Sequence, residues 1–187
     1  MLLRKYKQPH VYGAENAAHL DHWFRRKLQD PAHLLTRYIT PGMITLDLGC
    51  GTGFFSIAMA KLAGDAGKVF ALDLQIEMLE KLQQKLNAQF STRIELIHGS
   101  VVAFTPEKEI DFALAAYVFH ELTDQAEAFN HLRKIIGQGK HLLILEPNII
   151  VSKRAFQETI RLATDHGFVA KETVYGLLSK KVLLKRM

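Results

Sequence analysis

A chain of 187 residues, 48% hydrophobic and 23% charged, has the length and composition of one globular domain, which excludes intrinsic disorder and leaves two independent cores cramped. The formal charge is +5, with cations gathered at Arg4–Lys7, Arg25–Lys27 and Lys180–Arg186; no long basic stripe interleaved with aromatics joins them, so they read as solvated surface and nucleic acid is disfavoured as a partner. No run approaches the roughly 20 apolar residues of a membrane span, MLLRKYKQPH lacks a signal-peptide core, and the single cysteine, Cys50, admits neither an internal disulfide nor a cysteine-rich metal centre, so a cytoplasmic protein without membrane or metal is expected.

Between residues 14 and 39, the apolar positions Leu20, Trp23, Phe24, Leu28 and then Leu34, Leu35, Tyr38, Ile39 have helical spacing. Two amphipathic helices are predicted, the second capped by Asp30 with Pro31 at its first position. Residues 1–40 form an N-terminal helical segment whose aromatics Tyr6, Tyr12, Trp23 and Phe24 make it a candidate lid over a ligand edge. After Pro41-Gly42 comes a short buried strand over 44–48, a glycine turn, and a helix over 54–62. A second strand at 69–72 ends at Asp73, and Ile76, Leu79, Leu82 and Leu86 stripe the next helix. Further strands are predicted at 94–97, 112–118 and 141–145, the last ended by Glu146-Pro147, with helices at 122–136 and 152–166. Two consecutive strands close the chain, 168–178 and 181–184, joined around Ser179 and therefore antiparallel. Apolar strands alternating with helices imply an α/β three-layer sandwich, a mostly parallel doubly wound sheet with an antiparallel C-terminal strand, in a single domain.

The strongest local signal is Asp47-Leu-Gly49-Cys-Gly51-Thr-Gly53 between a predicted strand and a predicted helix. Alternate glycines let main chain turn tightly and approach a ligand, and the helix start adds free N–H groups that favour an anion. A dinucleotide fingerprint needs a third glycine where Phe54 or Ser56 stands, and a P-loop needs a Gly-Lys-Ser or Gly-Lys-Thr that is missing. Asp73, at the carboxyl end of the next strand, is placed to accept hydrogen bonds from a ribose diol, and equally to cap the helix beginning near Gln75.

The run Thr45-Leu-Asp-Leu-Gly-Cys-Gly-Thr-Gly-Phe-Phe-Ser56 resembles the first motif of the class I S-adenosylmethionine-dependent methyltransferases of the small-molecule, ubiquinone/menaquinone-methyltransferase type, and Val69-Phe-Ala-Leu-Asp73-Leu resembles their second. His98-Gly-Ser-Val101 is similar to the adenine-binding turn, 111–122 to the fourth-strand motif and 132–140 to the helix and turn before the fifth strand, so the likeness runs over about 35–187. The resemblance implies S-adenosyl-L-methionine as cofactor, with Gly49, Gly51 and Gly53 along its methionine portion and Asp47 organising its amino group. It also implies Asp73 on the ribose, Leu74 against the adenine, and Ser100 and Val101 at the adenine's polar edge, where Ser100 replaces the frequent Asp.

By the same resemblance the substrate lies beyond the fourth strand, near Ala116, Tyr117, His120 and Glu121. Amino-methylating relatives often carry Asn or Asp, two prolines and an aromatic here; Ala115-Ala-Tyr-Val118 shifts the expectation to an O-, S- or C-methyl acceptor, a small molecule given the lack of any large insertion. His120 is the candidate general base, with Tyr117 beside it; a histidine that merely hydrogen-bonds within its turn is the competing reading. Glu121 reads as a helix-start acid, and His10, His19, His22 and His33 show no ligand spacing. A nicotinamide-dependent oxidoreductase, disfavoured by Phe54, and a non-catalytic cofactor- or nucleic-acid-binding module are the alternatives.

Overall fold

The computed structural model of the chain describes residues 30–187, so the first predicted helix and most of the candidate lid, with Tyr6, Tyr12, Trp23 and Phe24, lie outside the described residues. Asp30 acts as the predicted cap: its carboxylate accepts the N–H groups of Ala32 and His33, and Pro31 opens α1 (Pro31–Leu35). Leu35 and Ile39 then enter the core.

Seven strands make one sheet: β1 (Ile44–Leu48), β2 (Lys68–Asp73), β3 (Ile94–His98), β4 (Ile110–Ala116), β5 (Ile136–Pro147), β6 (Phe168–Tyr175) and β7 (Ser179–Arg186), ordered β3-β2-β1-β4-β5-β7-β6. The first five are parallel, and β7 runs antiparallel to both β5 and β6, which is the doubly wound arrangement with one antiparallel strand near its end that the sequence predicts. Helices cover both faces: α2 (Phe54–Ala63), α3 (Ile76–Lys85) and the short α4 (Ala88–Ser91) join α1 on one, and α5 (Gln125–Ile135) and α6 (Lys153–Asp165) lie on the other.

Strand alternation explains the two cores. On β4, Phe112 and Leu114 face the layer of Leu35, Met59, Leu79 and Leu82, whereas Ala113 and Ala115 face that of Phe129, Leu132 and Phe156. Tyr38 stacks on Phe112 at 5.7 Å on the first side. On the second, Phe129 sits 4.8 Å from Phe119 and 5.9 Å from Phe168, a tilted aromatic chain that ties α5 to both the β4 end and β6. Because β1 lies between β2 and β4, strand order reverses there, and a crevice opens beyond the carboxyl ends of β1 and β4.

Several boundaries differ from expectation for identifiable reasons. β4 ends at Ala116 instead of running to 118 because Tyr117 takes φ 64, a left-handed conformation that no strand accommodates. The helix expected from 122 begins at Gln125, where the Asp124 carboxylate accepts the Glu127 N–H; before it, Phe119–Glu121 forms a separate 3-10 turn. β5 starts at Ile136, five residues early, because Ile136 pairs with Ile110 across a register shift. The cluster at Lys180–Arg186 is not all surface: Lys180 is buried on β7, donating to Asn148 Oδ1 at 2.8 Å and the Val151 carbonyl at 2.6 Å.

Candidate functional site

The crevice is built by the glycine turn. Gly49 and Cys50 both donate backbone N–H groups to the Leu72 carbonyl, at 2.9 and 3.0 Å, which ties the turn to the end of β2. Gly51 and Gly53 have φ of 53 and 83, in the left-handed region where a side chain is strained. They differ in surroundings: a Cβ on Gly53 would collide with the buried Leu82 side chain, whereas one on Gly51 would project into space with nothing within 4 Å. Gly49 allows close approach, since its absent Cβ would stand 2.5 Å from Val118 Cγ2. Gly53 is also the N-cap of α2 and, having no side chain, makes no side-chain capping hydrogen bond.

Asp73 stands opposite, 8% exposed. Its Oδ2 accepts the Gly51 N–H at 2.8 Å and its Oδ1 the Gln75 N–H at 2.9 Å, so it both caps the next segment and holds the turn. A carboxylate has more acceptor sites than these two bonds fill, so it retains capacity for a ligand hydroxyl. Burial raises its pKa, and the N–H groups of Gln75, Gly51 and Leu74 act against that. The Gly99 N–H donates to the Asp73 carbonyl at 3.0 Å, bringing the turn after β3 alongside. Leu74, 56% exposed, and the buried Val101 flank this corner.

These walls enclose a cavity of about 480 Å³. Gly49, Gly51, Asp73, Leu74, Ser100, Val101, Ala116, Tyr117 and His120 all line it, and so does Glu121. Asp47 and Gly53 do not; they lie behind the turn. Asp47, 1% exposed, accepts the Ser56 hydroxyl at 2.5 Å, and its pKa is pushed up to about 7, chiefly by burial and further by the charge of Asp73, against the Ser56 hydrogen bond. Phe54 and Met78 join the wall unpredicted. Among the described residues no His, Cys, Asp and Glu group could hold a metal ion.

Past the end of β4, the Tyr117 N–H donates to the Leu145 carbonyl at 2.8 Å, and the chain turns into the 3-10 segment that carries His120. Glu146, 1% exposed at the end of β5, meets it there: His120 Nδ1 lies 2.5 Å from Glu146 Oε2, and the His120 N–H donates to Oε1 at 3.2 Å. The Glu146 hydrogen bond raises the His120 pKa against desolvation, with the charges of Glu146 and Glu121 adding to the rise. The sequence pattern marks Glu146-Pro147 only as a strand end; the signal for a site residue is an acid closing an apolar strand on the ligand-bearing edge of the sheet.

A nucleoside joined to an amino acid fits this arrangement on two counts. The turn leaves open space where Gly51 lacks a side chain, and Asp73 offers acceptors at the rim beside the exposed Leu74 and the buried Val101. Towards the other end, Ile149, Ile150 and Leu178 line the mouth, with Ile149 93% exposed.

Comparison with known proteins agrees with this geometry. The chain is 28% identical over 153 residues to a demethylmenaquinone methyltransferase of Geobacillus stearothermophilus, covering 77% of this chain and 65% of that protein. It is 29% identical over 109 residues to the demethylmenaquinone methyltransferase of Bacillus mycoides, covering 58% and 46%. The chain thus spans about half to two thirds of the length of these curated relatives. A SAM-dependent methyltransferase from Aquifex aeolicus shares the fold with a TM-score of 0.85 at 24% identity, over 95% of this chain and all of that one. A TehB-like SAM-dependent methyltransferase from Corynebacterium glutamicum superposes with a TM-score of 0.74 at 17% identity, over 93% and 98% of the two chains. Residues 39–184 match the model of the methyltransferase domain, and the chain belongs to that family.

Proposed function

We propose that this chain transfers a methyl group from S-adenosyl-L-methionine to a small-molecule acceptor. The observation that carries the reading is the clasp of Asp73 on the Gly51 N–H at the rim of an open cradle, within a methyltransferase domain. Asp73 takes the ribose diol, Leu74 packs on the adenine, Ser100 and the backbone of Val101 meet its polar edge, and the main chain from Gly49 to Gly51 follows the methionine portion. Asp47 acts from behind the turn, and Gly53 sets the start of α2. When bound, the cofactor supplies an electrophilic methyl on sulfur; the protein's part is to orient the acceptor against it and keep water out. Ala116 and Tyr117 border the transfer position and His120 is the base.

Two features support a small, partly apolar acceptor: a cavity of about 480 Å³ shared by both reactants, and a mouth of Ile149, Ile150 and Leu178. Curated relatives named as demethylmenaquinone methyltransferases support the same class. Among the described residues no helix is long and apolar enough to cross a membrane, and the cytoplasm, in keeping with the free, buried Cys50, is the proposed compartment. The test is calorimetric titration with S-adenosylhomocysteine and, separately, a nicotinamide dinucleotide: the first binds and the second does not, and the reverse result would overturn the reading.

A further inference from the structure

The geometry points to Glu146 as a positioning residue that fixes His120 with its ring Nε2 available to the cavity, ready to take the proton of a phenol-type hydroxyl acceptor. This assignment rests on the methyl-transfer reading above and names the acceptor class for that same site.

Burying a carboxylate is costly unless it is paired. Glu146 spends both of its oxygens on one residue: Oε1 takes the His120 backbone N–H at 3.2 Å and Oε2 lies 2.5 Å from ring Nδ1. Capping the 3-10 turn would need only the first contact. The second determines the ring's chemistry, since a proton kept on Nδ1 and donated to the carboxylate leaves the Nε2 lone pair free to accept another. Nε2 lies on the far side of the ring, 4.0 Å from Glu121 Oε1, and both residues line the cavity.

The charges acting on His120 are acidic, Glu146 from β5 and Glu121 from the same turn. Asp73 from β2, and Asp124 and Glu127 at the start of α5, line the same cavity. The nearest buried cation in the register, Lys180 opposite Glu146 on β7, directs its ammonium to Asn148 and Val151 instead. An imidazolium is therefore stabilised here, and burial and the charges of Asp73 and Glu146 raise the Glu121 pKa, against the attraction of His120.

In the step itself the acceptor O–H bond breaks and its proton passes to Nε2. The oxygen's electron pair forms the new O–CH₃ bond, while the methyl–sulfur bond breaks with its pair left on sulfur. Positive charge so moves from sulfur to the imidazolium between Glu146 and Glu121. The gain is greatest for a phenol, which at a pKa of about 10 stays protonated where a thiol at about 8.5 already ionises in part, while an amine attacks through a lone pair it already has.

The test uses the full chain with ¹⁵N-labelled histidine, the His120 signals being assigned with His120→Ala. In the wild type, His120 protonates above the ordinary histidine value and its neutral form carries the proton on Nδ1. Glu146→Gln keeps the shape, lowers the His120 midpoint by about one to three pH units, and mixes the tautomers. A parallel methyl-transfer screen offers labelled cofactor with matched phenols, amines and thiols: product forms on phenols, and Glu146→Gln and His120→Ala slow it by at least about tenfold and a hundredfold. An unchanged His120 titration in Glu146→Gln overturns the positioning role, and product on amines or thiols alone, or on none of the panel, overturns the acceptor class. S-adenosylhomocysteine titration separates the two readings: if it binds normally while these results fail, only the present inference falls, and if it does not bind, the methyl-transfer reading itself falls.

Discussion

Replacing Gly51 and Gly53 separately by Ala distinguishes a glycine that makes room for a ligand from one that makes room for a neighbour. Both positions are left-handed, so alanine costs about 1–2 kcal/mol of backbone strain at each. At Gly51 nothing within 4 Å opposes the new Cβ, so strain is the whole stability cost. For a domain of this size that lowers Tm by about 2–8 °C. At Gly53 the Cβ meets the side chain of Leu82, which is fully buried and has nowhere to swing, adding an overpacking cost of about 1–3 kcal/mol. Binding reverses the order. The Gly51→Ala methyl occupies cavity space and weakens S-adenosylhomocysteine by about 5- to 150-fold, displacing the ligand costing the same roughly 1–3 kcal/mol as overpacking a core. Gly53→Ala, off the cavity wall, changes affinity far less in the fraction that remains folded. Thermal melts and calorimetry on the two variants read both effects. Wild-type affinity in Gly51→Ala, or equal melting losses in the two variants, would refute the reasoning.

Asp73→Ala removes two charge-assisted hydrogen bonds to a ribose, each worth about 1.5–3 kcal/mol, so S-adenosylhomocysteine affinity falls at least about a hundredfold by calorimetry; near-normal affinity would end the ribose assignment. Asp47, whose pKa is raised by burial to about 7, binds its proton more tightly folded than unfolded. Stability therefore falls as pH climbs from about 4 to 7, by up to about 4 kcal/mol from this group. Asp47→Asn keeps the Ser56 contact and removes that slope, so denaturant melts at pH 5 and pH 8 differ less in the variant, and parallel wild-type and variant profiles would contradict the burial argument. Phe129→Ala, which empties the centre of the aromatic chain between Phe119 and Phe168, costs about 3–5 kcal/mol in urea unfolding; a loss under 1 kcal/mol would show that the chain does not anchor α5.

The ligand edge was legible in the sequence because β1, the turn and α2 are contiguous: an apolar run, glycines at alternate positions and a helical stripe announce one another locally. Asp73 was legible for the same reason, ending its own strand. Less was legible where the decisive contact is distant. The pattern predicts a strand to 118 and a helix from 122, yet the left-handed Tyr117 ends the strand early and the Asp124 cap starts the helix late, with a 3-10 turn between them. Gly137 and Gly139 punctuate like a turn, yet tertiary pairing of Ile136 with Ile110 carries β5 through them. Glu146 is 26 residues from His120, and only the strand order, which sets the ends of β4 and β5 side by side, reveals that they meet. The motif names Asp47 and the apolar run its burial, but not that it stands off the cavity wall with its carboxylate on the Ser56 hydroxyl, a contact set only once the turn and α2 are assembled.

Crystals grown with S-adenosylhomocysteine test the central claim most directly. The account predicts density with the ribose diol on the Asp73 carboxylate, the adenine against Leu74 with its polar edge at Ser100 and Val101, and the amino-acid end along the backbone from Gly49 to Gly51. Density seated elsewhere, or that rim unfilled at saturating ligand, would contradict it.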